Sequence, residues 1–324
     1  MLSIKKIKEE NLACLSIALI VFVFYSHTLN YSWKYFDEQM IYNETLLPVP
    51  TSIFETFTYI LNFGLFNFFE ASNPFYSSIT NLRCNPINTL ISLFAYTIFQ
   101  KNAFYYHLAS LMLHIFNTCI LFFILNRVYE STNQAEEKNK YKLLLISSLA
   151  LIWALHPTVV EPIAFITNWV GVLSYSFFLL TLFLFIIDVS PIVLFFTFLL
   201  SIFICEYSVT LPLILFFYSF ATHKSNSLTE KVKHAFKRTS PLFLGLLIYI
   251  FSFFSLPTRT NFISYPFAVI LERIFWLSPQ IFFHFIKLIF LPLHLTIDQT
   301  GNILFGKTLL DPYGVFCFLL MYFI

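Results

Sequence analysis

Long apolar runs separated by short polar stretches set the pattern of this chain. The first runs from Leu12 to Phe24, behind Lys5, Lys6 and Lys8. It resembles a signal peptide, but the bulky Tyr25-Ser26-His27 offers no small-residue cleavage site, so an uncleaved first span is expected. Its lysine flank puts the N-terminus in the cytoplasm. Residues 31–85 then form a long outer loop. Within it, Ser52–Phe69 is apolar but interrupted by Glu55, Asn62 and Gly64, which predicts a helix lying in the interface. Ile87–Phe99, opened by Asn85-Pro86, is short for a span, which needs about 20 residues. Phe104–Leu125 is long enough to cross.

The basic residues decide how these runs thread. Arg127, Lys138, Lys140 and Lys142 make one basic stretch, and Lys224, Lys231, Lys233, Lys237 and Arg238 make another. Both are cytoplasmic by the positive-inside bias. An odd number of crossings must then separate the outer loop from residues 127–142. Phe104–Leu125 supplies one crossing if 87–99 stays at the membrane surface. Leu143–Leu155, Val172–Ile187, Pro191–Ile204 and Val209–Ala221 alternate out and in and return to the second basic stretch, and Pro241–Leu256 goes out again. Ile270–Leu291 is interrupted by Arg273, Pro279 and Lys287, and its topology stays open. The expectation is an all-α, polytopic membrane protein of roughly eight to ten membrane helices, one domain over residues 1–324. The chain ends inside an apolar run that has barely begun, as a truncated or shortened protein would.

Composition strengthens this picture. Of 324 residues 58% are hydrophobic and only 11% charged, where a soluble domain carries about 25%. The net charge of +2 gives no reason to expect a nucleic-acid partner. The five cysteines are scattered without a CxxC, which argues against a disulfide framework or a zinc site.

Charge is therefore scarce, and its placement matters. Asp37 and Glu38, in Trp33-Lys34-Tyr35-Phe36-Asp37-Glu38, put two adjacent carboxylates at the edge of the membrane. Arg83, His156, Glu161, Glu206 and Arg259 also fall at or near the outer ends of spans, and Asp188 alone sits at an inner turn. Ionisable groups in or near spans are costly and are functional candidates by default, although each could simply end a helix at the headgroups. His107 and His114, seven residues apart, share one helical face. Interhelical hydrogen bonding is the expectation for them, ahead of metal ligation.

Five segments bring a family into view. Ala154-Leu155-His156-Pro157-Thr158-Val159-Val160-Glu161-Pro162-Ile163-Ala164 resembles the ALHP-x-x-x-E-x-(I/V)-A stretch of polytopic O-mannosyltransferase-like glycosyltransferases of the GT-C superfamily. Longer members of that family carry TPR repeats after the membrane domain. Tyr106-His107-Leu108 with Leu113-His114-Ile115-Phe116-Asn117 is similar to their YHL…LLLH-x-x-N helix. Cys205-Glu206-Tyr207-Ser208-Val209-Thr210-Leu211-Pro212 is similar to their KE-x-x-VTLP segment. Pro292-Leu293-His294-Leu295-Thr296-Ile297-Asp298 resembles a later P-x-x-L-(S/T)-x-D segment, and Tyr35-Phe36-Asp37-Glu38 falls where the family keeps its first-loop acidic pair. The departures remove positive charge. Asn85 stands where the family has a basic residue, with Arg83 nearby; Cys205 replaces the Lys of KE; Trp169-Val170-Gly171 replaces an Arg-x-Asp; and no TPR repeats follow.

The resemblance implies sugar transfer from a polyprenyl-phosphate carrier to a hydroxyl of a protein or glycan acceptor, on the periplasmic or lumenal side. A bacterial inner membrane is favoured. Asp37 would act as base with Glu38 beside it, inverting the anomeric centre. Arg83 and Arg259 would hold phosphate, His156, Glu161, Glu206 and Asp298 would bind donor phosphate or sugar, and a divalent metal is neither implied nor excluded. Two other classes compete. A non-catalytic membrane subunit descended from such a transferase would explain the lost cations. A transporter or flippase would place its groups near mid-bilayer on interrupted helices, often in inverted repeats, and no internal repeat is visible.

Overall fold

The computed structural model describes residues 4–32, 86–132, 141–255, 271–293, 295 and 312–323. These form two units, Met1–Thr258 and Arg259–Ile324, and all of the regular structure among the described residues is helical. The helices of the first unit are α1 (Ile4–Tyr25), α2 (Pro86–Phe99), α3 (Ala103–Thr132), α4 (Lys142–Ala154), α5 (Val160–Ala164), α6 (Trp169–Ile186), α7 (Pro191–Ile204), α8 (Leu211–Thr222) and α9 (Leu228–Ser255). Three segments, Ile7–Asn30, Ala103–Ser131 and Trp169–Ile186, are long and apolar enough to cross a membrane. The pair Lys142–Ala154 and Pro157–Ala164 passes the same length and composition requirement together, but bends by 52° at its break. Among the described residues the chain thus has three helices, or four counting the bent pair as one span, that are long and apolar enough to cross a membrane.

Helix ends follow from proline placement and glycine scarcity. Pro86 opens α2, and proline also stands in the first turn of α7 and α8, where its missing N–H and fixed φ cost nothing. With only six glycines in the chain, two helices close on other residues in the left-handed region, Gln100 (φ 48°) after α2 and Asp188 (φ 61°) after α6. At Asp188 the Val189 N–H donates to the Leu184 carbonyl (3.0 Å) and the Asp188 N–H to the Phe185 carbonyl (3.2 Å), the Schellman pattern that satisfies carbonyls a helix end leaves open. Arg238 of α9 reinforces this turn. Its Nη2 donates to Asp188 Oδ1 (2.8 Å) and to the Phe185 carbonyl (2.9 Å), while the guanidinium lies 4.3 Å from the centre of the Phe185 ring.

Successive long helices alternate in direction along the chain, so the unit has two distinct ends. Tyr25, at the end of α1, meets the end of α4, and Tyr31 meets His107 at the start of α3. At the other end Lys142 reaches Glu130 (2.7 Å), which also pairs with Arg127 (3.3 Å), and Arg238 holds Asp188. α8 begins at Leu211, with a 3-10 turn, Glu206–Thr210, ahead of it. Among the described residues four apolar clusters fill the interior: Val21, Tyr25, Leu111, Phe122 and Ala150 between α1, α3 and α4; Phe185, Phe198, Leu211 and Leu242 between α6, α7, α8 and α9; Ala95, Tyr106, Ile166, Trp169 and Ile204 under α2; and Ile120, Ile124 and Leu179 between α3 and α6. The close approach of α9 to α7 uses Gly245, where an added Cβ would stand 2.9 Å from Phe198 Cδ1.

The second unit contains a π turn, Arg273–Leu277, running into α10 (Ser278–Phe290), and α11 (Pro312–Phe323) packed against it. Gln280 is buried and donates to the Trp276 carbonyl (3.0 Å).

Candidate functional site

The polar groups that the sequence singles out lie where helices break. Pro157 cannot donate a backbone N–H, and the residue before a proline avoids helical angles. His156 accordingly turns extended (φ −63°, ψ 135°) and α4 stops. Its Nδ1 accepts the Thr158 N–H (3.3 Å) and the Thr158 hydroxyl (2.7 Å), so His156 caps the 3-10 turn Pro157–Val159 and its ring proton resides on Nε2. The break withholds from the Ala154 carbonyl the N–H that a continuing helix would supply. Tyr25 Oη of α1 (3.1 Å) and His114 Nε2 of α3 (3.0 Å) donate to it instead. The interhelical hydrogen bond expected of His114 is therefore present, and it assigns that ring's proton to Nε2 as well.

Beyond the break Glu161 stands in the first turn of the five-residue α5, and its Oε1 accepts from Asn168 Nδ2 (2.9 Å). The contact strings Glu161 to the foot of α6. A second break follows α7, where Cys205 is extended (φ −152°, ψ 135°) and Glu206 starts the Glu206–Thr210 turn. Cys205 Sγ stands 4.0 Å from Glu206 Oε2. A serine trio ties this break to α6. Ser174 and Ser201 donate to each other's carbonyls (3.2 and 3.1 Å), and the Ser201 and Ser208 hydroxyls are hydrogen-bonded. All three serines are buried, which suits small polar residues at helix contacts in a membrane.

Ile166, between the Glu161 turn and α6, and Ile204, just before Glu206, share one apolar cluster with Ala95 of α2 and Tyr106 of α3. That cluster is the floor on which both breaks sit. The same end carries the residues that flank the long loop, Ser32 and Pro86, and an open cleft there is lined in part by Ser32, Gln100, Lys101 and Asn102. The structure thus brings His156, Glu161 and Glu206 to one end of the unit. Asp37, Glu38, Arg83, Arg259 and Asp298 lie outside the described residues, as does Ser52–Phe69. Among the described residues no group of three or more His, Cys, Asp or Glu side chains is arranged to hold a metal ion.

Two features of this end are not among the groups that the sequence singles out. The Ala154 carbonyl is one, and its only sequence signal is the proline three residues on. The serine trio is the other, spread over 34 positions from Ser174 to Ser208. No family model, curated protein or solved structure matches this chain.

Proposed function

We propose that the chain is a GT-C-type glycosyltransferase that moves a mannose-like hexose from a polyprenyl-phosphate carrier to an acceptor hydroxyl at the outer face of the membrane. The observation that carries this reading is the meeting of two helix breaks, one bearing His156 and Glu161 and the other Glu206, on one apolar floor. Both breaks lie at the end of the unit from which the acidic loop leaves. Asp37 follows Ser32 by five residues, so the chain can carry its Cα no farther than ~18 Å from that of Ser32. An acceptor hydroxyl is a poor nucleophile until a carboxylate takes its proton. Asp37 is the base with Glu38 next to it in sequence, while Arg83 meets the charge that builds on the leaving phosphate. Attack from the face opposite that phosphate inverts the anomeric centre.

Asp37→Asn tests the role. Asparagine keeps the size and the capping ability of aspartate but cannot take a proton, so transfer by membranes supplied with a panel of polyprenyl-phosphate sugars falls by ~10²–10⁴-fold, with normal insertion and accumulation. Glu38→Gln loses less. Transfer by Asp37→Asn at the wild-type rate refutes the assignment. Cys205, in the place of the family's lysine and in contact with Glu206, favours the second reading, a non-catalytic subunit. In that case the wild type transfers from no carrier.

A further inference from the structure

The first turns of α9 combine charge and exposed apolar surface in a way that the fold does not use. Ala235, Thr239 and Leu242 are buried and face the bundle. To one side of that buried face stand Val232 (42% exposed) and Phe236 (58% exposed), four residues apart and so on one stripe. Farther round come Lys233 and Lys237, also four apart and exposed, with Lys224 exposed just before the helix. The other polar groups nearby have work within the fold. Arg238 clamps Asp188, Lys231 stands 5.8 Å from the Phe220 ring centre, and Glu230 accepts from the Ser225 hydroxyl. Lys224, Lys233 and Lys237 have no ion-pair partner among the described residues.

The neighbours give this patch a level. The His223 ring, just past the end of α8, stacks on His234 at 4.0 Å, so α8 ends opposite His234. Farther along α9, Leu244, Leu247, Ile248 and Phe251 expose apolar surface round the helix, as a lipid-facing segment does. Phe236 therefore lies toward the apolar band and Lys233 away from it, with the change of character between them. An exposed stripe of Phe and Val flanked by lysines, at the foot of an apolar helix, fits a surface that is apolar on one side and anionic on the other.

We propose that Lys224, Lys233 and Lys237 bind the phosphates of anionic lipid headgroups while Phe236 enters the acyl boundary, making the start of α9 a lipid-binding surface at the basic end of the unit. Lys237 reaches the headgroups by extending its apolar stem along the helix. This surface lies at the opposite end from the helix breaks and stands whether or not the chain transfers sugar.

The full chain, reconstituted in phosphatidylcholine bilayers containing spin-labelled phosphatidylglycerol or spin-labelled phosphatidylcholine, gives the relative association of each lipid from the motionally restricted fraction. Wild type prefers phosphatidylglycerol, and added salt weakens the preference. Each lysine contributes up to ~5-fold near the surface, so K224Q/K233Q/K237Q falls to near parity, while Lys101→Gln, at the other end, keeps the preference. All three lysines are exposed, so the variant folds. A triple variant with wild-type preference, or a wild type with none, overturns the proposal. In a second measurement Phe236→Trp is quenched more by lipids brominated near the headgroup than by lipids brominated at mid-chain. Quenching by aqueous iodide and by neither lipid also overturns it, and points to a partner in water.

Discussion

The Ala154 carbonyl is the sharpest place to test whether the break at His156-Pro157 is built into the bundle. It takes two donors, Tyr25 Oη and His114 Nε2, at 3.1 and 3.0 Å, and both side chains are at most 2% exposed, so water cannot replace them. Tyr25→Phe removes one donor and leaves the other. The loss is that of one hydrogen bond between membrane helices, about 0.6 kcal/mol. His114→Phe keeps a ring against Tyr25 and Trp153 and loses a similar amount. The double variant is different in kind, because the carbonyl is then buried with no donor, at a cost of about 1–3 kcal/mol. The two changes together should therefore cost about 1 kcal/mol more than their sum. A double-mutant cycle on the purified chain, unfolded by dodecyl sulfate titration in mixed micelles and followed by helicity, measures this term directly. Additivity within about 0.3 kcal/mol would refute the shared-acceptor account.

Two further outcomes follow from the opposite end and from α9. Gly245→Ala gains up to about 1 kcal/mol of helix propensity but sets a Cβ 2.9 Å from the fully buried Phe198 ring; overpacking costs about 1–3 kcal/mol, so the variant is less stable in the same titration, Gly245→Leu more so, and a stabilised Gly245→Ala refutes the close approach. His234 titrates below the ordinary imidazole value of about 6.5, because partial burial and then His223, Arg238 and Lys237 disfavour its charged form, with Asp188 opposing them. The unfolded chain takes the proton first, so this group withdraws stability as pH falls from the ordinary value through the folded one, and has no effect above it. Imidazole resonances followed against pH check this, and His223→Gln should raise the His234 midpoint; an unchanged midpoint refutes the coupling.

What the sequence made legible was whatever a few adjacent residues decide. Asn85-Pro86 and Ser190-Pro191 mark helix starts because proline at the first helical position needs no neighbour to act. His156-Pro157 marks a helix stop for the same local reason. The seven-residue spacing of His107 and His114 predicts a bond across helices, and His114 makes one. The receiving atom was not legible, since a backbone carbonyl is present at every position and becomes an acceptor only where its own helix ends. The Arg238–Asp188 clamp joins residues 50 apart, and nothing near either names the other. The serine trio is hidden in the same way, because single serines within apolar runs look alike until the helices are stacked. Of the candidate site, His156, Glu161 and Glu206 share one end of the unit; the acidic pair and the three remaining candidates lie outside the described residues and rest on the sequence.

The helix lengths carry a consequence for the surrounding membrane. α3 has 30 residues, while α7 has 14 and α8 only 12, which at 1.5 Å per residue is about 45, 21 and 18 Å. A hydrocarbon layer is about 30 Å thick. The side of the bundle made by α7 and α8 is thus too short for an undeformed bilayer, and the side made by α3 is not. Lipid beside α7 and α8 must thin, or the turn Glu206–Thr210 must lie within the layer's thickness. In the first case the bilayer is thinner on one flank of the bundle than on the other, and in the second Glu206 sits below the level of the headgroups without any movement of the protein.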